Sequence, residues 1–178
     1  PSEETASAQE VLFIGSLDWY PNLDAVKFFL DEVAPLIWER APTAKLRIVG
    51  RRPPQELWKR VAACSGVELV GEVPDVRPYL AQAAVVVVPL RIGGGSRIKI
   101  LEALSMKKAV VSTSVGAEGL AVKDGVHLLM ADTPAAFAAK VTELLGNPDE
   151  CRRLGENGRR LVEERYSWDR AAESLEDI

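Results

Sequence analysis

An α/β fold built on one open parallel sheet follows from three observations on this 178-residue chain. Short apolar runs of strand length recur, and stretches with apolar residues at helical spacing lie between them. That alternation is the pattern of βαβ units. The run Ala84–Pro89 is the most hydrophobic and falls mid-chain, as a strand buried on both faces of a parallel sheet should.

Val11–Gly15 is the expected first strand, followed by a polar loop, Ser16–Pro21, and a helix beginning at Asn22 or just after it. Val26, Phe29, Leu30, Val33 and Ile37 fall at helical spacing as one buried stripe, and Pro42 helps to stop the helix. Leu46–Gly50 is the second strand, and Arg51–Pro54 turns into a helix around Gln55–Ala63. Val67–Gly71 is the third strand, with Asp75 as the N-cap of a short helix through Leu80. After Ala84–Pro89 come a glycine loop and a helix to Met106, then a fifth strand, Ala109–Ser112. Gly116–Leu120 reads as a turn or short helix, and Val126–Met130 as a sixth strand.

The remainder reads as a helical tail. Phe137, Val141, Leu144 and Leu145 form one stripe, broken by Gly146-Asn147-Pro148. Leu154, Leu161 and Val162 belong to the next helix, and Ser167 is placed to cap a last one, Trp168–Leu175. Residues 1–10 read as a polar arm or the edge of an excised piece, and 11–178 as one domain.

Composition excludes several classes. An apolar fraction of 47% with 27% charged residues is that of a soluble globular domain. A net charge of −4 argues against broad nucleic-acid binding. No stretch approaches the roughly 20 apolar residues of a membrane span. Cys64 and Cys151 stand far apart without a CxxC, which suits free thiols in a reducing compartment better than a disulfide. The single histidine, His127, falls in the sixth strand and reads as structural; no metal site is expected.

Ligands of open parallel sheets bind beyond the carboxyl ends of the strands. The candidate rim is therefore Gly15–Asn22, Gly50–Arg52, Gly71–Asp75, Leu90–Arg97 and Thr113–Glu118. Its most informative part is Gly93-Gly94-Gly95-Ser96-Arg97-Ile98-Lys99-Ile100-Leu101-Glu102, a glycine loop running into a helix. Glycines admit close approach of a ligand, and the first helical turn offers N–H groups to an anion. Arg97 and Lys99 add positive charge, and Glu102 can accept from a hydroxyl, so a phosphate beside a polyol would suit the surface.

The bland readings stay open beside these. The glycines would also make a tight turn without a ligand, and Glu102 would also pair with Lys99 on the helix surface. Trp19 and Tyr20 would either plug one end of the core or wall a sugar or acceptor site. Arg51 would meet a phosphate or carboxylate, or only solvent. The loop is neither a Walker A sequence nor the GxGxxG fingerprint, so nucleoside triphosphatases and dinucleotide oxidoreductases are disfavoured.

Taken in order, these pieces resemble the C-terminal, nucleotide-sugar-binding domain of retaining GT-B glycosyltransferases of family 4 (glycosyl transferases group 1). The resemblance rests on Phe13–Leu17 with Trp19, Pro21 and Asn22; Leu46–Arg51; and Val67–Val73 with Asp75 and Val76. It rests further on Pro89–Leu104, Ala109–Thr113, Gly116–Leu120 and Tyr166-Ser167-Trp168. It implies one half of a GT-B fold: a Rossmann-like, six-stranded parallel sheet flanked by helices.

It also implies a nucleotide-diphosphate sugar as donor; a sugar, lipid or small molecule as acceptor; a missing N-terminal domain as partner; and no cofactor. Arg97, Lys99 and Glu102 are then the catalytic set. Gly15, Ser16, Arg51, Val73, Gly94, Gly95, Ser96, Arg97 and Glu102 are the donor-binding set. The family's two motif glutamates stand eight positions apart; the second falls on Glu102 and the first on Gly94. The family's basic residues in and after the first loop have no match in Ser16-Leu17-Asp18-Trp19, and Arg97 and Lys99 are their expected replacements. Such a protein would be cytoplasmic, at the inner face of a membrane in its full-length form, and this chain would be inactive by itself. The residues leave three rivals: a non-catalytic nucleotide or phosphosugar-binding domain, a protein-interaction domain and a sugar-nucleotide epimerase.

Overall fold

A computed structural model describes residues 9–93 and 97–167. Six strands run β1 (Glu10–Ile14), β2 (Lys45–Val49), β3 (Val67–Gly71), β4 (Val85–Val88), β5 (Ala109–Ser112) and β6 (Leu129–Met130). They form one sheet in the order β3-β2-β1-β4-β5-β6, and every pairing is parallel. The chain winds outward from β1 to β3, then returns to the centre and winds the other way from β4. The crevice between β1 and β4 is therefore a topological switch point, where ligands of such sheets bind. Val85–Val88 are all buried, which is why β4 is an unbroken apolar run.

Eight helices cover the sheet among the described residues: α1 (Tyr20–Phe28), α2 (Ala34–Arg40), α3 (Gln55–Ala62), α4 (Arg77–Gln82), α5 (Ile98–Ser105), α6 (Ser114–Ala117), α7 (Pro134–Leu145) and α8 (Pro148–Arg165). A π-helical turn, Phe29–Val33, joins α1 to α2 and carries the chain into Pro35, which has no N–H to give a regular ladder. The stripe Val26, Phe29, Leu30, Val33 and Ile37 is buried as its spacing predicts. Phe29 meets Phe137 of α7 edge-to-face, with ring centroids 6.0 Å apart. α8 folds back on α5, where an added Cβ on Gly155 would lie 2.0 Å from the Lys107 carbonyl oxygen.

Several boundaries differ from the sequence expectation. β1 opens at Glu10, inside the supposed arm, because the Glu10 carboxylate is buried against the Arg47 guanidinium at 3.0 Å. The first helix starts at Tyr20, with Pro21 in its first turn, where a missing N–H costs nothing. Asp75 does not occupy the N-cap position, which is Val76; its Oδ1 instead accepts from the Arg77 N–H at 2.9 Å.

β6 is only two residues long. The chain before it folds into a turn with Gly125 at φ +76°, and the Asp124 carboxylate accepts from the Met130 N–H. His127 belongs to that turn rather than to a strand. Its Nδ1 accepts from the Lys123 N–H at 3.0 Å, and burial holds its pKa below the usual value. The expected last helix, Trp168–Leu175, lies outside the described residues.

Candidate functional site

Beyond the carboxyl ends of β1 and β4 lies a cavity of about 470 Å³. The loop after β1 supplies Gly15, Ser16, Asp18 and Trp19, and the first turn of α1 supplies Pro21 and Asn22. Arg51 enters from the end of β2, Leu90 from the end of β4, and Arg97, Ile98, Lys99 and Glu102 from the start of α5. Among the described residues, then, one wall is the β1 loop and the opposite wall is α5.

The β1 loop is held to β2 by backbone: the Leu17 N–H donates to the Arg51 carbonyl at 2.9 Å, and the Gly15 N–H to that of Val49 at 3.0 Å. The approach is so close that an added Cβ on Gly50 would sit 1.8 Å from the Gly15 carbonyl oxygen. Side chains add a relay over this joint. Arg51 Nε donates to Ser16 Oγ at 2.8 Å, and the Ser16 hydroxyl donates its single O–H to Asp18 Oδ1 at 2.6 Å. The Ser16 hydroxyl, with the Arg52 guanidinium on its other oxygen, holds the Asp18 carboxyl below the usual carboxylate range. Arg51 is therefore a member of the cavity wall, and Arg52 is paired with Asp18.

On the opposite wall α5 begins at Ile98, with Arg97 in the N-cap position. The Arg97 side chain is only 12% exposed. Its Nε donates to the Glu118 carbonyl at 3.1 Å, and its guanidinium lies 3.7 Å from the Glu118 carboxylate. That carbonyl belongs to the loop after β5, which Thr113 fixes: its Oγ1 donates to the Leu90 carbonyl and accepts from the Gly116 N–H at 3.0 Å.

Lys99 points inward. Its Nζ donates to Asn22 Oδ1 at 2.6 Å and stands 5.3 Å from the centre of the Phe13 ring. Burial first, and the neighbouring Arg97 charge second, bring its pKa down from 10.5 to about 8. Glu102 lies one helical turn beyond Lys99, exposed on the same cavity wall.

The sequence-derived set is thus largely gathered in one place: Gly15, Ser16, Arg51, Arg97, Lys99 and Glu102 all line the cavity. Val73 is not among its lining residues; it packs partly buried against the core. Gly94, Gly95 and Ser96 lie outside the described residues. Trp19 and Tyr20 do not plug the core, being 54% and 67% exposed, and Trp19 lines the cavity.

Two residues named only as members of the rim take on partners here: Asn22 receives the Lys99 ammonium, and Glu118 receives Arg97. Asn22 closes the candidate rim segment Gly15–Asn22 and belongs to the residues that carry the resemblance, but nothing in the sequence pointed to its contact with Lys99. Among the described residues no group of three or more His, Cys, Asp or Glu side chains is placed to hold a metal, and no helix is long and apolar enough to cross a membrane.

The profile of the family described as glycosyl transferases group 1 matches residues 8–147. A 44.6 kDa protein of the cps region of Klebsiella pneumoniae is 26% identical over 172 residues, covering 93% of this chain and 44% of that protein. The putative glycosyltransferase EpsD of Bacillus subtilis is 29% identical over 163 residues, covering 88% and 42%. The chain therefore spans less than half the length of these relatives.

Among solved structures, a mutant of S. aureus TarM in complex with fondaparinux, alpha-GlcNAc-glycerol and UDP superposes with a TM-score of 0.84 at 19% identity. That match covers 99% of this chain and 36% of TarM. Anabaena HepE in complex with UDP and glucose gives 0.74 at 16% identity, covering 96% and 48%. These two share the fold.

Proposed function

This chain belongs to the glycosyl transferases group 1 family, and we propose that it is the donor-binding half of a retaining, family 4-like glycosyltransferase. The observation that carries this reading is the switch-point cavity, where Arg51, Arg97, Lys99 and Glu102 come together. Three cations around one hollow suit a diphosphate, and a carboxylate one turn away suits the hydroxyls of a ribose. The UDP bound in TarM and HepE supports the same class of ligand.

In this proposal Glu102 accepts from the ribose hydroxyls, and the segment Gly71–Asp75, Val73 included, meets the base through its backbone. Gly15, Ser16 and Arg51 border the diphosphate from the β1 side, and the resemblance implies the amides of Gly94, Gly95 and Ser96 as further donors to it. During transfer the bond from the anomeric carbon to the β-phosphate oxygen breaks. The acceptor hydroxyl oxygen bonds that carbon on the same face, and its proton goes to the leaving phosphate. Arg97 and Lys99 stabilise the charge that develops there, the largest service a site can render such a reaction.

The acceptor, a sugar, lipid or small molecule, is held by an N-terminal domain supplied by the rest of a longer protein. The chain alone binds nucleotide and does not turn over. The full protein works in the cytoplasm, at the inner face of a membrane. One feature favours a second reading, a nucleotide-binding domain without transfer: Gly94 stands where the family's first motif glutamate would.

A thermal-shift panel of UDP, GDP, ADP and their sugars on wild type and Glu102→Ala tests the proposal. Ligand at 100 times its dissociation constant adds about 2.7 kcal/mol of stability. Loss of hydrogen bonds to the Glu102 carboxylate removes about 1.5–3 kcal/mol of binding. Equal stabilisation of both proteins would refute the ribose role, and no stabilisation by any nucleotide would refute the donor site. Transfer by the full-length protein separates the first reading from the second.

A further inference from the structure

Asn22 stands in the first turn of α1 with 7% of its surface exposed. Helical side chains lean toward the N-terminus of their helix, so its amide reaches back over the loop that leaves β1. There Nδ2 donates to the Ser16 carbonyl at 2.9 Å, and Oδ1 accepts from Lys99 Nζ at 2.6 Å. Only one amide orientation satisfies both contacts, since a carbonyl only accepts and an ammonium only donates. Aspartate would lack the donor, and leucine would lack both groups.

Gly15 makes room for this bridge. An added Cβ there would lie 2.9 Å from Asn22 Cγ and Nδ2, and 3.0 Å from Lys99 Nζ. Strand β1, its loop and two helices thus converge on one ammonium group.

We infer that Asn22 is a positioning residue that holds the Lys99 ammonium against the β1 loop, aimed at the anionic part of the donor. The inference rests on the donor-site reading above. It explains how α5 supplies a cation to a loop, Ser16–Pro21, that contains no basic residue. The other charges facing the cavity are Arg97 and Glu102 from α5, Asp18 from the β1 loop and Arg51 from the end of β2. With Lys99 titrating at about 8, the grip on an anion weakens as pH rises through that value.

The test is calorimetric titration of the whole chain with inorganic pyrophosphate and with UDP, GDP and ADP. The nucleoside diphosphates are followed from about pH 7 to 9, above their terminal phosphate's second pKa of about 6; inorganic pyrophosphate, which loses its last proton inside that range, is compared at pH 7 alone. Wild-type affinity falls across this range. Asn22→Ala weakens binding about tenfold. Asn22→Asp sets a carboxylate beside the ammonium and moves the midpoint of the fall to higher pH, which a merely structural role would not do. Should Asn22→Ala fail to fold, the isosteric Asn22→Asp and its midpoint carry the test alone.

An unmoved midpoint in Asn22→Asp, or wild-type affinity in Asn22→Ala, overturns the inference and leaves the donor site standing. Lys99→Met binding every probe as tightly as wild type overturns it too, with Glu102→Ala then deciding the donor site. Absence of binding to wild type by all four probes overturns both.

Discussion

Gly50→Ala should damage this protein far more than Gly15→Ala, although the two glycines stand side by side at the ends of neighbouring strands. The Cβ on residue 50 would lie 1.8 Å from the Gly15 carbonyl oxygen and 3.2 Å from Leu17 Cγ. An ordinary carbon–oxygen contact is about 3.3 Å, so the two strand ends must part by roughly 1.5 Å. The obstacle is backbone, and the Gly50 N–H is itself bonded to the Gly71 carbonyl at 2.9 Å. No rotamer change relieves that clash. Overpacking together with one compromised backbone hydrogen bond costs about 2–4 kcal/mol, a large part of a domain's total of roughly 5–15.

The Cβ on residue 15 instead meets the ends of two side chains, Asn22 and Lys99, at 2.9–3.0 Å. These can move, so Gly15→Ala should cost about 1 kcal/mol or less of stability while disturbing the cavity wall. Urea unfolding midpoints for the two variants, with near-ultraviolet circular dichroism, measure the difference. Equal destabilisation, or a Gly50→Ala midpoint indistinguishable from wild type, would refute the close approach as the reason glycine stands there.

Lys99 also makes stability depend on pH. Its pKa falls on folding from 10.5 to about 8, so between those values the unfolded chain binds more protons and stability rises with pH. Lys99→Met should remove that rise from a denaturation series, and an unchanged slope would place the ammonium in solvent. Arg91 joins the loop after β4 to α1, with bidentate bonds to Asp24 at 2.7 and 3.0 Å and its guanidinium 4.6 Å from the centre of the Phe28 ring. Arg91→Ala and Asp24→Ala should each cost about 1 kcal/mol, with a coupling near 0.5 in a double-mutant cycle; strictly additive losses would argue against the clamp.

The sheet was legible because its information is local. Val67–Gly71 and Ala109–Ser112 are strands over the residues their apolar runs indicate, and β4 is central because only a strand buried on both faces can be all valine. Glycine and basic residues at strand ends marked the cavity for the same reason, since ligand sites of parallel sheets follow from strand direction. Val126–Met130 misled, because an apolar run cannot reveal that Gly125 takes a left-handed turn and leaves two residues to pair. Lys99 and Glu102 could be placed on one helix from spacing alone. That Lys99 turns inward to Asn22, 77 residues earlier, was decided by where the fold sets the start of α5 opposite the first turn of α1, and no pattern along the chain encodes a distance across it. The sequence determined the winding of the sheet and the side on which ligands enter; tertiary contact alone decided which buried amide holds the cation there, because a hydrogen bond between distant segments exists only once the fold has brought them together.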